Sequence, residues 1–321
     1  MKKFIFGFLL FILMAGNQAF AQQMPQFSHY AFNGMYLSPG YAGITGQAEV
    51  NGIFRYQWFN YQPSFDSGGS PKTGLFSFSV PVAALKGGFG GHVIQDQLGA
   101  TKMTNAALAY SQHIRIGSGK LGIGVQGALT RLSKGQYRPN DPDDPNVPEN
   151  SSDRKFDAGA GIWYQSEKLY FGAGMNNLLR SKYVLEDKDR EETSGAGVVT
   201  GENHLYVTGG TNLAISENLT VTPTVIGKYD FNQFSWESGA RVTYNEKMWI
   251  GAGYRNQEAI TGMLGGFPLK QNTLRLGYAF DLTNFGVEAK TRASHEIMIS
   301  YIFPRPANLL RPPVKTPRYN F

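Results

Sequence analysis

Cysteine is absent from the 321 residues of this chain. That removes disulfides, thiolate metal sites and cysteine nucleophiles together, and with them a lipoprotein anchor on an N-terminal cysteine. Charge of one sign is scarce: 30 basic residues stand against 24 acidic ones, a formal charge of +6. The small excess is spread along the chain, which gives nucleic-acid binding no support. Long hydrophobic runs are missing too. Beyond the first twenty residues nothing approaches the roughly 18 apolar residues that a membrane-spanning helix needs. The five histidines (His29, His92, His113, His204 and His295) are scattered, with no H-x-x-x-H or H-E-x-x-H spacing. There is no G-x-S-x-G elbow and no phosphate-cradling glycine loop. Gly87-Gly-Phe-Gly-Gly91 lacks the strand-to-helix setting of a dinucleotide site, and reads instead as relief of crowding within a strand. No enzyme, metal or cofactor is expected.

What the chain does have is glycine, at 39 residues, and aromatics, at 13%. It opens with Lys2 and Lys3, an apolar run from Phe4 to Met14, and Ala19-Phe20-Ala21. A basic start, a short apolar core and an A-x-A exit describe a secretory signal peptide, residues 1–21, cut near Ala21. Its loss takes Lys2 and Lys3 and lowers the formal charge from +6 to +4.

The rest is a ladder of alternating segments. Ala48, Val50, Gly52, Phe54, Tyr56 and Trp58 share one face; Glu49, Asn51, Arg55 and Gln57 share the other. The pattern recurs near 234–244, where Phe234, Trp236, Ala240, Val242 and Tyr244 oppose Glu237, Arg241 and Thr243. It recurs near 154–165 and again near 293–303, where Ile297, Ile299, Tyr301 and Phe303 oppose Glu296 and Ser300. A period of two with one apolar and one polar face puts lipid outside and a wet lumen inside. Strands are expected near 47–58, 72–81, 88–97, 102–116, 119–132, 154–165, 168–176, 202–215, 218–229, 233–244, 247–256, 259–267, 271–281 and 293–303. The fold class is therefore all-β: a transmembrane antiparallel β-barrel of about fourteen strands, an even number as bacterial barrels require.

Turn lengths give an independent argument. Short turns at 117–120, 166–167, 216–218 and 245–246 follow even-numbered strands. Long connections near 59–71, 133–153, 177–201 and 282–292 follow odd-numbered ones. Outer-membrane barrels have short periplasmic turns and long extracellular loops, so both termini are expected in the periplasm. The domain plan is a signal peptide (1–21), an aromatic N-terminal segment (22–46, periplasmic or lumenal), the barrel (47–303) and a tail (304–321). That tail is proline-rich and basic, and should be an extended periplasmic arm open to a partner. Asp141, Asp143 and Asp144 are calcium-type ligands, but their spacing misses the EF-hand pattern and a solvated loop is the preferred reading. Glu186 to Glu192 is a mixed charge run, read as an exposed loop face.

Eight charged residues are expected to face the lumen: Glu49, Arg55, Asp157, Glu237, Arg241, Arg255, Arg275 and Glu296. They make either a selectivity path or a salt-bridged network filling a narrow interior. The second is preferred because both signs occur in similar number.

One segment is unlike the rest. Gln26-Phe-Ser-His-Tyr-Ala-Phe-Asn-Gly-Met-Tyr-Leu-Ser-Pro-Gly-Tyr-Ala-Gly43 is almost uncharged, aromatic, and too irregular for a strand. It should be held against something. It also resembles the mature N-terminus of the PorP/SprF family of the Bacteroidetes type IX secretion system, which opens Q-F-S-x-Y-x-F-N-x-x-Y-x-N-P-x-Y-A-G. Ser38 stands where Asn is usual and Gly40 where a small residue such as Ala is usual. Phe171 to Leu179, Leu276 to Asp281 and Ser294 to Tyr301 look like further strands of that family, so the likeness runs to Phe303. The resemblance implies a non-enzymatic part of the type IX secretion and gliding machinery in the outer membrane. Its implied role is to receive or anchor the C-terminal sorting domain of a large secreted adhesin. The alternatives are a core subunit joined to the periplasmic ring, and a porin or hydrophobic-solute transporter. Expected partners are that C-terminal domain, other secretion components and outer-membrane lipid. Phe27, Tyr30, Phe32, Asn33, Tyr36 and Tyr41 are the candidate partner-binding residues, with the loops near 59–71, 133–153 and 177–201 facing the cargo.

Overall fold

The computed structural model describes residues 25–61, 69–135, 151–185, 197–284, 291 and 293–304. The expected signal peptide, the acidic 141–144 segment, the 186–192 charge run and nearly all of the proline-rich tail lie outside the described residues.

Alternating sequence becomes a closed antiparallel barrel. Its strands are β1 (Glu49–Tyr56), β2 (Lys72–Val82), β3 (Gly87–Leu98), β4 (Thr101–Ile116), β5 (Gly119–Lys134), β6 (Ser151–Gln165) and β7 (Leu169–Asn176). A small hairpin follows, β8 (Lys182–Leu185) with β9 (Gly197–Thr200). The wall resumes with β10 (His204–Thr211), continued by β11 (Leu213–Ser216). It ends with β12 (Leu219–Tyr229), β13 (Phe234–Tyr244), β14 (Met248–Arg255), β15 (Ala259–Gly266), β16 (Leu274–Thr283) and β17 (Ala293–Ile302). Each wall strand pairs with its sequence neighbour; β7 pairs with β10, and β1 with β17 closes the ring. Counting β10 and β11 as one interrupted strand gives fourteen, matching the ladder read from sequence. The four longest connections (57–71, 135–150, 177–203 and 284–292) leave from one end of the barrel, which also carries the short turns at 99–100 and 256–258; no connection at the other end exceeds seven residues.

Period-two alternation decides which way side chains point. Phe54, Leu108, Val125, Phe156, Ile250 and Ile297 are exposed on the outside, as a lipid-facing band requires. Inside, Ile53, Leu75, Ile94, Trp163, Tyr206, Ile226, Trp249 and Met298 are buried, and they join one hydrophobic cluster with Phe27, Tyr30, Tyr36, Leu37 and Ile44. The wet lumen expected from the strand pattern is therefore corrected. The inward faces of β1, β2, β3, β6, β10, β12, β14 and β17 each carry a large apolar residue, and with buried polar groups between them these pack a core around the N-terminal segment.

The long 177–201 connection, expected to be an open loop, holds the β8–β9 hairpin. Tyr183 and Leu185 pack on Leu132 with Met103 and Val199, a separate small core at the long-loop end. Asn177 and Arg180 take left-handed backbone (φ 57° and 49°) as the chain leaves the wall. Asp157 pins the departing segment by accepting the Leu179 N–H at 3.0 Å.

Candidate functional site in the barrel lumen

Residues 25–46 run the length of the lumen. Near the long-loop end, Gln26 accepts a 2.8 Å hydrogen bond from Lys228, one residue from the end of β12. At the short-turn end, Gly43 N–H donates to Ser79 Oγ at 2.8 Å shortly before β1 begins. Three short helical turns lie between, at Tyr30–Phe32, Gly34–Leu37 and Pro39–Tyr41. None is long enough to be stable alone. Their conformation is imposed by the wall around them.

The lower half of the segment packs backbone to backbone. A Cβ on Gly122 would collide with the Gly40 carbonyl, and one on Gly124 with the carbonyl of Pro39. Only glycine on β5 lets the segment come this close. Gly40 is equally confined: a Cβ there would sit 2.7 Å from the Trp163 nitrogen. Its departure from the family's usual Ala is thus matched to the wall. Ser38, the other departure, hydrogen-bonds through Oγ to the carbonyls of Ala173 (3.0 Å) and Ile162 (3.1 Å) and receives the Gly40 N–H. Ser111 Oγ donates to the Gly40 carbonyl, and His113 Nε2 lies 2.9 Å from that of Ala42.

The upper half is held by charge. Glu296 on β17 accepts the backbone N–H groups of Ser28 and His29, each at 2.8 Å, and meets His29 Nδ1 at 2.7 Å. With Glu296 ionised and accepting, the imidazole proton sits on Nδ1. Ser28 Oγ donates to Asp281 at 2.8 Å and accepts from Arg55 at 3.1 Å. Arg55 bridges Asp281 (2.6 Å) and Glu296 (3.2 Å). Arg255 bridges Glu237 (2.8 Å), Glu258 (3.1 Å) and Asp281 (3.3 Å). These groups are nearly all buried, where charges persist only when paired and hydrogen-bonded. In the turn before β15, burial pulls the Glu258 carboxyl upward, but Arg255, Arg55 and Lys228 outweigh it and hold it below the ordinary range.

Between the two halves, the Phe32 ring is met by two guanidinium groups. Arg241 and Arg275 sit 4.4 and 4.7 Å from its ring centroid, a cation–π arrangement that strengthens as water is excluded. Trp249 closes against the same ring at 5.2 Å. Tyr36 meets Phe27, His92 and Tyr206, and Tyr41 stands edge-on to Trp163 at 4.9 Å. Asn33 is buried, with its Oδ1 3.4 Å from Ser77 Oγ, and Tyr30 bonds Thr224 at 2.8 Å. The cavity beside Ser28–Phe32 measures about 20 Å³, room for a water or two.

The six aromatic-block candidates are thus all placed inside the lumen, in contact with the wall. Of the eight lumenal charges, Arg55, Glu237, Arg255 and Glu296 come together in one network, Arg241 and Arg275 share Phe32, and Asp157 stands apart at the hairpin. Glu49 is half-buried at the foot of β1. Sequence reading missed Asp281, Glu258, Ser28 and His29. Asp281 was available from the pattern, because it lies on the same face of β16 as Arg275, three inward positions on.

The arrangement defines a class: a β-barrel membrane protein whose lumen is filled by its own N-terminal segment. The chain matches the family of type IX secretion system membrane proteins PorP/SprF over residues 19–301 and belongs to it. It is thus an outer-membrane barrel of that secretion system. No curated protein matches the chain. Among solved structures, the toluene transporter TbuX of Ralstonia pickettii is similar at 12% identity, covering 84% of this chain and 92% of its own, with a TM-score of 0.49. Omp33 of Acinetobacter baumannii is similar at 10% identity, covering 80% and 98%, with a TM-score of 0.43.

Proposed function

We propose that this barrel is a docking protein of the type IX secretion machinery rather than a conduit. It receives or anchors the C-terminal sorting domain of a large secreted surface protein, a non-enzymatic role. The observation that carries this reading is the packed lumen: residues 25–46 fill it with a hydrophobic cluster, an ion network and direct backbone contacts to β5. A porin or hydrocarbon transporter needs a path through that space. Docking does not. The aromatic block then serves as an internal brace, and partner contact falls to the long-loop end with its ordered β8–β9 hairpin, placed on the cell surface. Gliding motility and adhesin attachment follow from the same assignment.

The test is an affinity pull-down from native outer membrane, with mass spectrometry of what is retained. Recovery of one large adhesin through its C-terminal domain is the expected result. Recovery of periplasmic ring components without cargo supports a core-subunit role instead, and a lone barrel contradicts docking.

A further inference from the structure

The outer surface of β3–β6 carries a feature that the lumenal site leaves unused. Register aligns the outward side chains of these four strands in rows. One row is apolar: Val93, Ala106, Leu129 and Phe156. Phe156 is 75% exposed, and Leu108 one step below on β4 is 70% exposed. The next row toward the long loops is Gln95, Thr104, Arg131 and Arg154, and the one beyond it is Gln97, Lys102, Ser133 and Ser152.

Arg131 and Arg154 are direct cross-strand partners, both exposed. Like charges directly opposite destabilise a sheet. Lys102 adds a third exposed cation one row away. Among the described residues neither row holds a carboxylate, and Arg131 makes only a 3.3 Å hydrogen bond to Ser152. Every one of these eight side chains can donate a hydrogen bond.

Height places the cluster. From Leu121 to Leu129 on β5 are eight steps of about 3.4 Å, which at a tilt near 40° rise about 20 Å, most of an apolar band ~25 Å tall. Arg131 and Arg154 therefore lie in the first row past the acyl chains, at headgroup level. Guanidinium forks at that depth match phosphate oxygens, and Phe156 and Leu129 lie where the lipid's chains would run.

We propose that Arg131 and Arg154, assisted by Lys102, form a binding site for the phosphate of a membrane lipid in the leaflet at the long-loop end. The full-length barrel in neutral detergent, offered phosphatidic acid or diacylglycerol with identical chains, tests this by native mass spectrometry. Wild-type protein should retain phosphatidic acid about tenfold better than diacylglycerol, and the Arg131→Gln/Arg154→Gln pair should erase the difference. Both residues are exposed, so the variant keeps its barrel, checked by heat-dependent gel mobility. A Lys120→Gln/Lys168→Gln control at the short-turn end should leave retention unchanged. Equal retention of the two lipids by wild type, or undiminished preference in the arginine variant, overturns the site. So does equal loss in the lysine control, which means diffuse charge, or displacement by millimolar inorganic phosphate, which means a plain anion site.

Discussion

At the scale of single residues, Phe32 does two jobs that only an aromatic ring can combine. It packs beside Trp249 and offers its ring to two guanidinium groups of like charge. Phe32→Ala should cost about 3–5 kcal/mol for the lost ring, with repulsion between Arg241 and Arg275 added to it. Phe32→Leu should recover the packing but not the cation–π attraction, and thermal unfolding of the two variants in one detergent separates these contributions. Glu258 gives a prediction in pH. Its carboxyl sits low in the folded barrel because its cationic neighbours outweigh burial. Its contribution is therefore whole above the ordinary glutamate value of about 4.3 and is lost as pH falls through the lower folded value. Melting temperature against pH should fall below that window in the wild type and less steeply in Glu258→Gln. Identical slopes would deny the network its charge. Such pairings were only half legible in the sequence. Parity along a strand tells which charges point inward, but which of them meet depends on register around a closed ring.

At the scale of elements, the strands were the legible part. Alternation is a local property, and each strand needs only a neighbour and a lipid face to satisfy it. The N-terminal segment was visible as something to be held, but not as three helical turns. Its aromatic spacing follows no helical or strand period, because each ring answers to a pocket on a different strand. The role of Gly122 and Gly124 was hidden for the same reason: a glycine in a strand says that something approaches, not what. The β8–β9 hairpin was missed because two four-residue strands are too short to announce themselves. Its hinge rests on Asp157, whose carboxylate accepts the N–H groups of Ala158 (2.7 Å) and Leu179 (3.0 Å). Asp157→Ala should cost about 1–3 kcal/mol for donors left unpaired. Limited proteolysis should then cut between Asn177 and Gly201 well before the barrel yields, whereas cleavage at the wild-type rate would show the hairpin to be held otherwise.

At the scale of the whole molecule, a barrel with fourteen strands and a filled lumen behaves as a solid post in the membrane. Its outer face is apolar and its interior is a protein core. The segment that fills it is continuous with β1, so it is tethered at the short-turn end whatever happens above. Residues 25–46 close the lumen, and single-channel recording in planar bilayers reads that closure. The full-length protein should show no steady conductance, while a chain lacking residues 22–46, or one carrying Gly124→Val against Pro39, should show openings. A stable open pore in the unaltered protein would mean that residues 25–46 do not close it.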